Sequence, residues 1–163
     1  MSQKTLDPDF IPKMRIAGRI AAATLEMIGT HVKPGVTTNY LNDLCEAYMR
    51  EQGALPAPPT KGFPKAVCTS PNRVICHGIP DDVPLKDGDI LNIDVSLSKD
   101  GVFADTCKMF FVGTPTLPGK RIVQCAQECI YNSIQLVAPK VSLRSIGQII
   151  QKNSSKVWFF SCT

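Results

Sequence analysis

Residues 92–113 read NIDVSLSKDGVFADTCKMFFVG, and no other stretch constrains the fold as much. Two runs rich in Val, Ile, Leu and Phe flank Lys99-Asp100-Gly101, the pattern of a β-hairpin. On the first run Leu91, Ile93, Val95 and Leu97 alternate with Asn92, Asp94, Ser96 and Ser98. A period of two therefore buries the apolar set and puts Asp94 on the polar face. With Lys99 and Asp100 at the tip, Asp94 is expected opposite Asp105; a bulge at Gly101 would shift the pairing by one residue. Side chains directly opposed have Cβ atoms roughly 4.5–5.5 Å apart, where like charges repel. Two arrangements satisfy the pair: an exposed hairpin with both carboxylates solvated, or a cation held between them.

Around the hairpin the chain alternates helical and extended patterns. Residues 10–30 carry Met14, Ala17, Ala21 and Ile28 at helical spacing, with Ile16, Ile20 and Met27 beside them, and Pro34-Gly35 breaks the run. Thr37 or Thr38 can cap a second helix through Arg50, with Leu41, Leu44, Cys45 and Tyr48 as its buried stripe and Gly53 at its end. A proline-rich loop at 55–64 precedes two expected strands, AVCTS (66–70) and VICHG (74–78), joined by Pro71-Asn72-Arg73. After the hairpin, Pro115 and Pro118 lead into a helix from about 120 to 137, with Ile122, Ala126, Cys129, Ser133 and Leu136 on one face. A shorter helix starts at Ser142 and shows Leu143, Ile146 and Ile150. The fold class is α/β (α+β).

Several function classes are disfavoured. With 44% hydrophobic and 20% charged residues the chain is globular rather than disordered. The net charge of +4 comes from scattered lysines and arginines, so neither nucleic acid nor a membrane is an expected partner. No apolar run reaches the ~18 residues of a membrane span, and the N-terminal residues lack a signal peptide's apolar core. Seven cysteines without paired CxxC spacing imply neither a zinc ribbon nor a disulfide framework; free thiols in a reducing cytoplasm are the simplest reading. No GxGxxG or P-loop supports nucleotide chemistry.

An internal echo links the two ends. VKPGVTTNYL (32–41) and VAPKVSLRSI (137–146) share V-x-P-x-V-[ST]-x-x-x-[LI], each between two amphipathic helices. This implies a duplicated unit of two helices followed by strands. The first repeat spans about 8–113 and the second starts at about 114. A second copy as long as the first would run past residue 163.

Asp94 and Asp105 suit a pair of divalent metals, one carboxylate chelating and the other bridging. Two carboxylates alone are too few donors, and beyond Asp105 the sequence has one acidic residue, Glu128, and no histidine. His77, between an apolar run and Gly78-Ile79-Pro80, can reach a cleft to hydrogen-bond a carbonyl or move a proton; a buried structural histidine is the competing reading. His31, at a helix end, is assigned no function. Cys68 and Cys76 are expected on adjacent strands, where each is more readily a small core residue than a nucleophile.

The stretches KGFPKAVCTSPNRVICHGIPDD and LKDGDILNIDVSLSKDGVFADTCKMFFVG resemble type I methionine aminopeptidase of the bacterial kind, a likeness covering about residues 8–152. The resemblance implies the duplicated pita-bread fold, cytoplasmic location, a monomer if folded, and removal of the initiator methionine from nascent proteins, with possible ribosome proximity. It implies two divalent ions (Co, Mn, Fe, Zn or Ni) held by two Asp, one His and two Glu. Asp94 and Asp105 match the two metal aspartates, and Asp105 is the bridging one. His77 matches the histidine at the scissile peptide, and Phe63 and Cys68 match the methionine pocket. Thr60 stands where the family commonly has an aromatic residue. The family's histidine and glutamate ligands have no counterpart here, so this chain alone is expected to be inactive and to expose surface that favours aggregation. A non-catalytic pita-bread binding module, a proline-type aminopeptidase and a decoy that binds ribosomes or nascent chains are the rival readings. The tail NSSKVWFFSCT (153–163) departs from the family, and suitable codons for it, read one base later, encode IRAKYGFSVV, a family-like continuation. A reading-frame slip near Lys152 is the resulting expectation.

Overall fold

The computed structural model describes residues 8–156. Of these, residues 8–114 form one compact unit and residues 115–156 a second.

In the first unit, α1 (Phe10–Gly29) and α2 (Thr38–Glu51) cover one face of a four-stranded antiparallel sheet of β1 (Leu55–Pro56), β2 (Cys68–Pro71), β3 (Ile90–Lys99) and β4 (Val102–Phe111). β3 is central. β4 pairs along its whole length on one edge, while β2 (against Leu91–Asp94) and β1 (against Leu97–Ser98) share the other. Leu91, Ile93, Val95 and Leu97 are fully buried and meet Ala17, Ala21, Leu25 and Ile28 of α1 and Leu41, Cys45 and Met49 of α2. Each such side chain contributes roughly 1.5–3 kcal/mol on burial. The Thr37 hydroxyl caps α2 by accepting from the Tyr40 N–H. Buried positions on α2 run Thr38, Leu41, Asn42, Cys45, Met49. Leu44 and Tyr48, expected in this stripe, are only half-buried on its flank.

The hairpin register corrects the expected facing of the aspartates. Asp100 and Gly101 both have positive φ (50° and 81°), so the turn is a two-residue type I′ turn centred one position later than Lys99-Asp100. Asp94 then lies opposite Cys107, and Asp105 opposite Ser96. The carboxylates are diagonal neighbours on one face rather than directly opposed.

VICHG is not a strand. The turn at Asn72 (φ 49°) carries the chain off the sheet, and residues 72–77 are solvent-exposed. The segment returns only at Gly78, whose carbonyl accepts from the Thr69 N–H at 2.9 Å and whose N–H donates to Ser70 Oγ. Cys76 is therefore exposed and off the sheet, not on a strand adjacent to Cys68.

The second unit holds α3 (Leu117–Ile134) and α4 (Arg144–Lys156). The Thr116 hydroxyl accepts from the Gly119 N–H, so α3 starts three residues before the expected Lys120, with Pro118 in its first turn. Its buried stripe is Cys125, Cys129 and Ser133, while Ile122 and Ala126, expected on the same face, are exposed. α4 runs through residues 153–156, the first part of the stretch whose sequence was expected to depart from the family; the rest of that stretch, 157–163, lies outside the described residues.

Candidate metal and substrate site

The sheet face turned away from α1 and α2 carries the candidate residues. Across it run two rows: Cys68 of β2, Asp94 of β3 and Cys107 of β4, then Ser96 and Asp105. The alternation that buries Leu91, Ile93, Val95 and Leu97 is what turns Asp94 and Ser96 to this side. Asp105 accepts from the Ser96 hydroxyl through Oδ2. Asp94 has no such partner: its Oδ1 is buried and without a hydrogen bond among the described residues.

The electrostatics follow. Burial pushes the Asp94 carboxyl above the ordinary carboxylate range, the Asp105 charge pushes it further, and His77 opposes both. His77 is exposed rather than a core histidine, and its backbone takes a positive φ of 53° at the end of the outward segment. Burial also raises the Cys68 thiol, followed by Asp94, Asp105 and Cys76, so Cys68 stays neutral beside the carboxylates.

Two supports were not legible from the sequence. Asn42, nearly fully buried on α2, accepts with Oδ1 from the N–H groups of Ala66 (2.9 Å) and Val67 (3.3 Å), fixing the chain that enters β2 at Cys68. Thr38 accepts from the Asp81 N–H at 2.8 Å, tying the end of the 72–80 segment to the same helix. An Asn inside an amphipathic helix reads as a surface residue, and only the fold reveals its backbone partners. Cys107 and Ser96 follow directly once the register is known. Phe63 is half-buried just after the 3-10 helix Pro58–Lys61, its N–H on the Pro58 carbonyl. Thr60 in that helix is exposed and donates to the Ala57 carbonyl. Glu128 is exposed on α3 and accepts from Gln124.

A buried carboxylate oxygen lacking a partner is costly unless a cation or donor meets it, and here a second carboxylate stands on the same face. Asp94 and Asp105 therefore fit the hard-oxygen half of a divalent metal site. Among the described residues no group of three His, Cys, Asp or Glu completes a ligand set.

Residues 12–158 match Metallopeptidase family M24, and the chain belongs to that family. It is 50% identical over 151 residues to methionine aminopeptidase of Rickettsia prowazekii, covering 92% of this chain and 58% of that protein. Against methionine aminopeptidase of Escherichia coli K12 it is 53% identical over 148 residues, covering 89% of this chain and 56% of that protein. The crystal structure of the Rickettsia prowazekii enzyme superposes with a TM-score of 0.90 at 47% identity, over 96% of this chain and 63% of that one. Prolidase from Pyrococcus furiosus, at 16% identity and a TM-score of 0.81, shares the fold alone. The architecture is the pita-bread fold. The chain spans a little over half the length of the curated relatives it matches.

Proposed function

We propose that this chain carries the aspartate half of a two-metal centre that removes N-terminal methionine from peptides and nascent proteins in the cytoplasm. The observation that carries this reading is the buried, unpartnered Oδ1 of Asp94 on the same sheet face as Asp105. The likeness to methionine aminopeptidases supports it.

Asp94 and Asp105 are the residues that would hold the ions, with Asp105 kept in place by Ser96. Bound divalent ions would supply Lewis acidity and an activated water for peptide hydrolysis. His77, exposed on a segment anchored at Gly78, would donate a hydrogen bond to the substrate carbonyl or move a proton at its imidazole. The neutral Cys68 thiol and the Phe63 ring are the groups that would meet a thioether side chain, as the likeness to methionine aminopeptidases suggests. The described residues provide only two carboxylates of the ligand set, so the 163-residue chain by itself binds metal weakly and turns over slowly or not at all.

Calorimetric titration with Mn2+ tests the site. Weak binding that disappears in both Asp94→Asn and Asp105→Asn supports it, and binding unchanged by either substitution overturns it. A parallel assay on a Met-Gly-Ser peptide at saturating cobalt or manganese tests the activity, because robust turnover by this chain alone contradicts the incomplete ligand set.

A further inference from the structure

The second unit holds a pair of thiols that the aminopeptidase reading does not use. Cys125 and Cys129 sit one helical turn apart on α3, each 7% exposed. Both line an apolar groove of about 570 Å3 between α3 and α4, with Ile122, Ile146 and Ile150 among its walls. The Cys129 thiol lies 3.9 Å from the Ile150 carbonyl, toward which it donates. The thiols interact: after burial, the charge and side-chain hydrogen bond of Cys129 are what hold the Cys125 proton on.

Geometry forbids the obvious product of two neighbouring thiols. Residues i and i+4 on a helix have Cβ atoms roughly 5–6 Å apart. A disulfide needs about 3.5–4.5 Å, so this pair cannot close an S–S bond without unwinding the helix. One interposed atom bonded to both sulfurs spans the gap. The apolar walls set the charge of that adduct, since a net charge is expensive there and a neutral bridge is not. Soft thiolate ligands select soft, thiophilic centres.

We propose that Cys125 and Cys129 form a dithiol site for a soft thiophilic centre that bridges both sulfurs as a neutral adduct, with trivalent monoorganoarsenicals as the ligand class. The reaction balances without an oxidant. An arsenoxide, R–As=O, meets two S–H groups, two arsenic–sulfur bonds form, and the oxygen leaves as water carrying both thiol protons. Arsenic remains trivalent. The second As–S bond forms within the molecule, so the bridged adduct outlasts a one-sulfur adduct by about a hundredfold.

The test uses the 163-residue chain, fully reduced, with phenylarsine oxide as the probe and excess 2-mercaptoethanol as the competitor. One adduct per chain, less one water, is expected to survive the monothiol and to be removed by 2,3-dimercaptopropanol. Cys125→Ser and Cys129→Ser should each abolish the resistant adduct, with the helical circular dichroism signal unchanged. Should either variant fail to fold, tryptic mapping of the unmodified chain decides. The peptide 122–140 contains both cysteines and no other, and must carry the bridged mass. A resistant adduct that persists in both variants, a bridged mass outside 122–140, or no resistant adduct at all overturns the proposal.

Discussion

Asp94 shows how a ligand position is set against stability at the level of one residue. Its carboxyl titrates above the ordinary 3.8 because burial and Asp105 both resist its charge. A raised folded-state value means the contribution to stability is fully present below pH 3.8 and is lost as pH rises through the folded value. At neutral pH the ionised group is a net cost to the metal-free chain. Asp94→Asn should therefore raise metal-free stability at pH 7 by about 0.5–1 kcal/mol. Urea unfolding should show that gain vanish below pH 3.8, and millimolar Mn2+ should stabilise only the unsubstituted chain. A second residue gives a cleaner pH effect. Cys45 is fully buried in the first unit's core, and burial pushes its thiol up to about 12 from 9.0. Its folded value is again the higher one, so stability is intact below pH 9 and falls as pH climbs toward 12. Between pH 8 and 10, under reducing conditions, the chain should lose about 1.4 kcal/mol more than Cys45→Ala does. Equal losses in urea titrations of the two proteins would contradict this. The alternation about Ile93 revealed which face Asp94 takes. It could not reveal the missing partner of Oδ1, because that depends on how β2 lies against β3.

At the scale of elements, long periodic patterns were legible and short apolar runs were not. α1, α2, β3 and β4 follow from repeated burial every 3.6 or two residues. The hairpin register was misread by one position because Lys99-Asp100-Gly101 offers two candidate tips, and the choice is made by the positive φ that Asp-Gly tolerates. VICHG has a strand's composition, yet Asn72 turns it outward and leaves Ile75 86% exposed. What fixes this segment is Gly78. A methyl there would overlap the Thr69 carbonyl backbone, so only glycine allows the close approach that makes the Thr69 N–H to Gly78 bond. Gly78→Ala should break that bond at a cost of about 1–2 kcal/mol and release the chain carrying His77. Amide exchange is the measurement. Thr69 should exchange faster in the variant while Ile93, in the central strand, stays protected, and unchanged Thr69 protection would rule this anchor out.

For the whole molecule, the question is what a chain with this much exposed apolar surface does in solution. The first unit buries one face of its sheet well, yet Ile75, Val83 and Phe103 remain more than half exposed. The second unit leaves Leu143 82% and Val137 73% exposed and keeps an open apolar groove between its two helices. Scattered apolar residues are ordinary on a surface, but a groove walled by isoleucines is not. Each such side chain returns roughly 1.5–3 kcal/mol when covered, so covering several would outweigh weak entropic penalties of loose association. Helix propensity and periodicity made α3 and α4 legible from sequence. That surface would be left uncovered was expected from the family resemblance alone, because a hydrophobic stripe does not say whether a neighbour meets it. The chain is therefore expected to bind the dye ANS while fully folded by circular dichroism, and to scatter light increasingly as its concentration rises, without a defined oligomer. The first unit's buried sheet face predicts that this association leaves the protection of Leu91–Leu97 amides unchanged, since the sticky surfaces lie elsewhere. A sharp monomer at high concentration with no dye binding would mean that these exposed side chains are too dispersed to act as a surface.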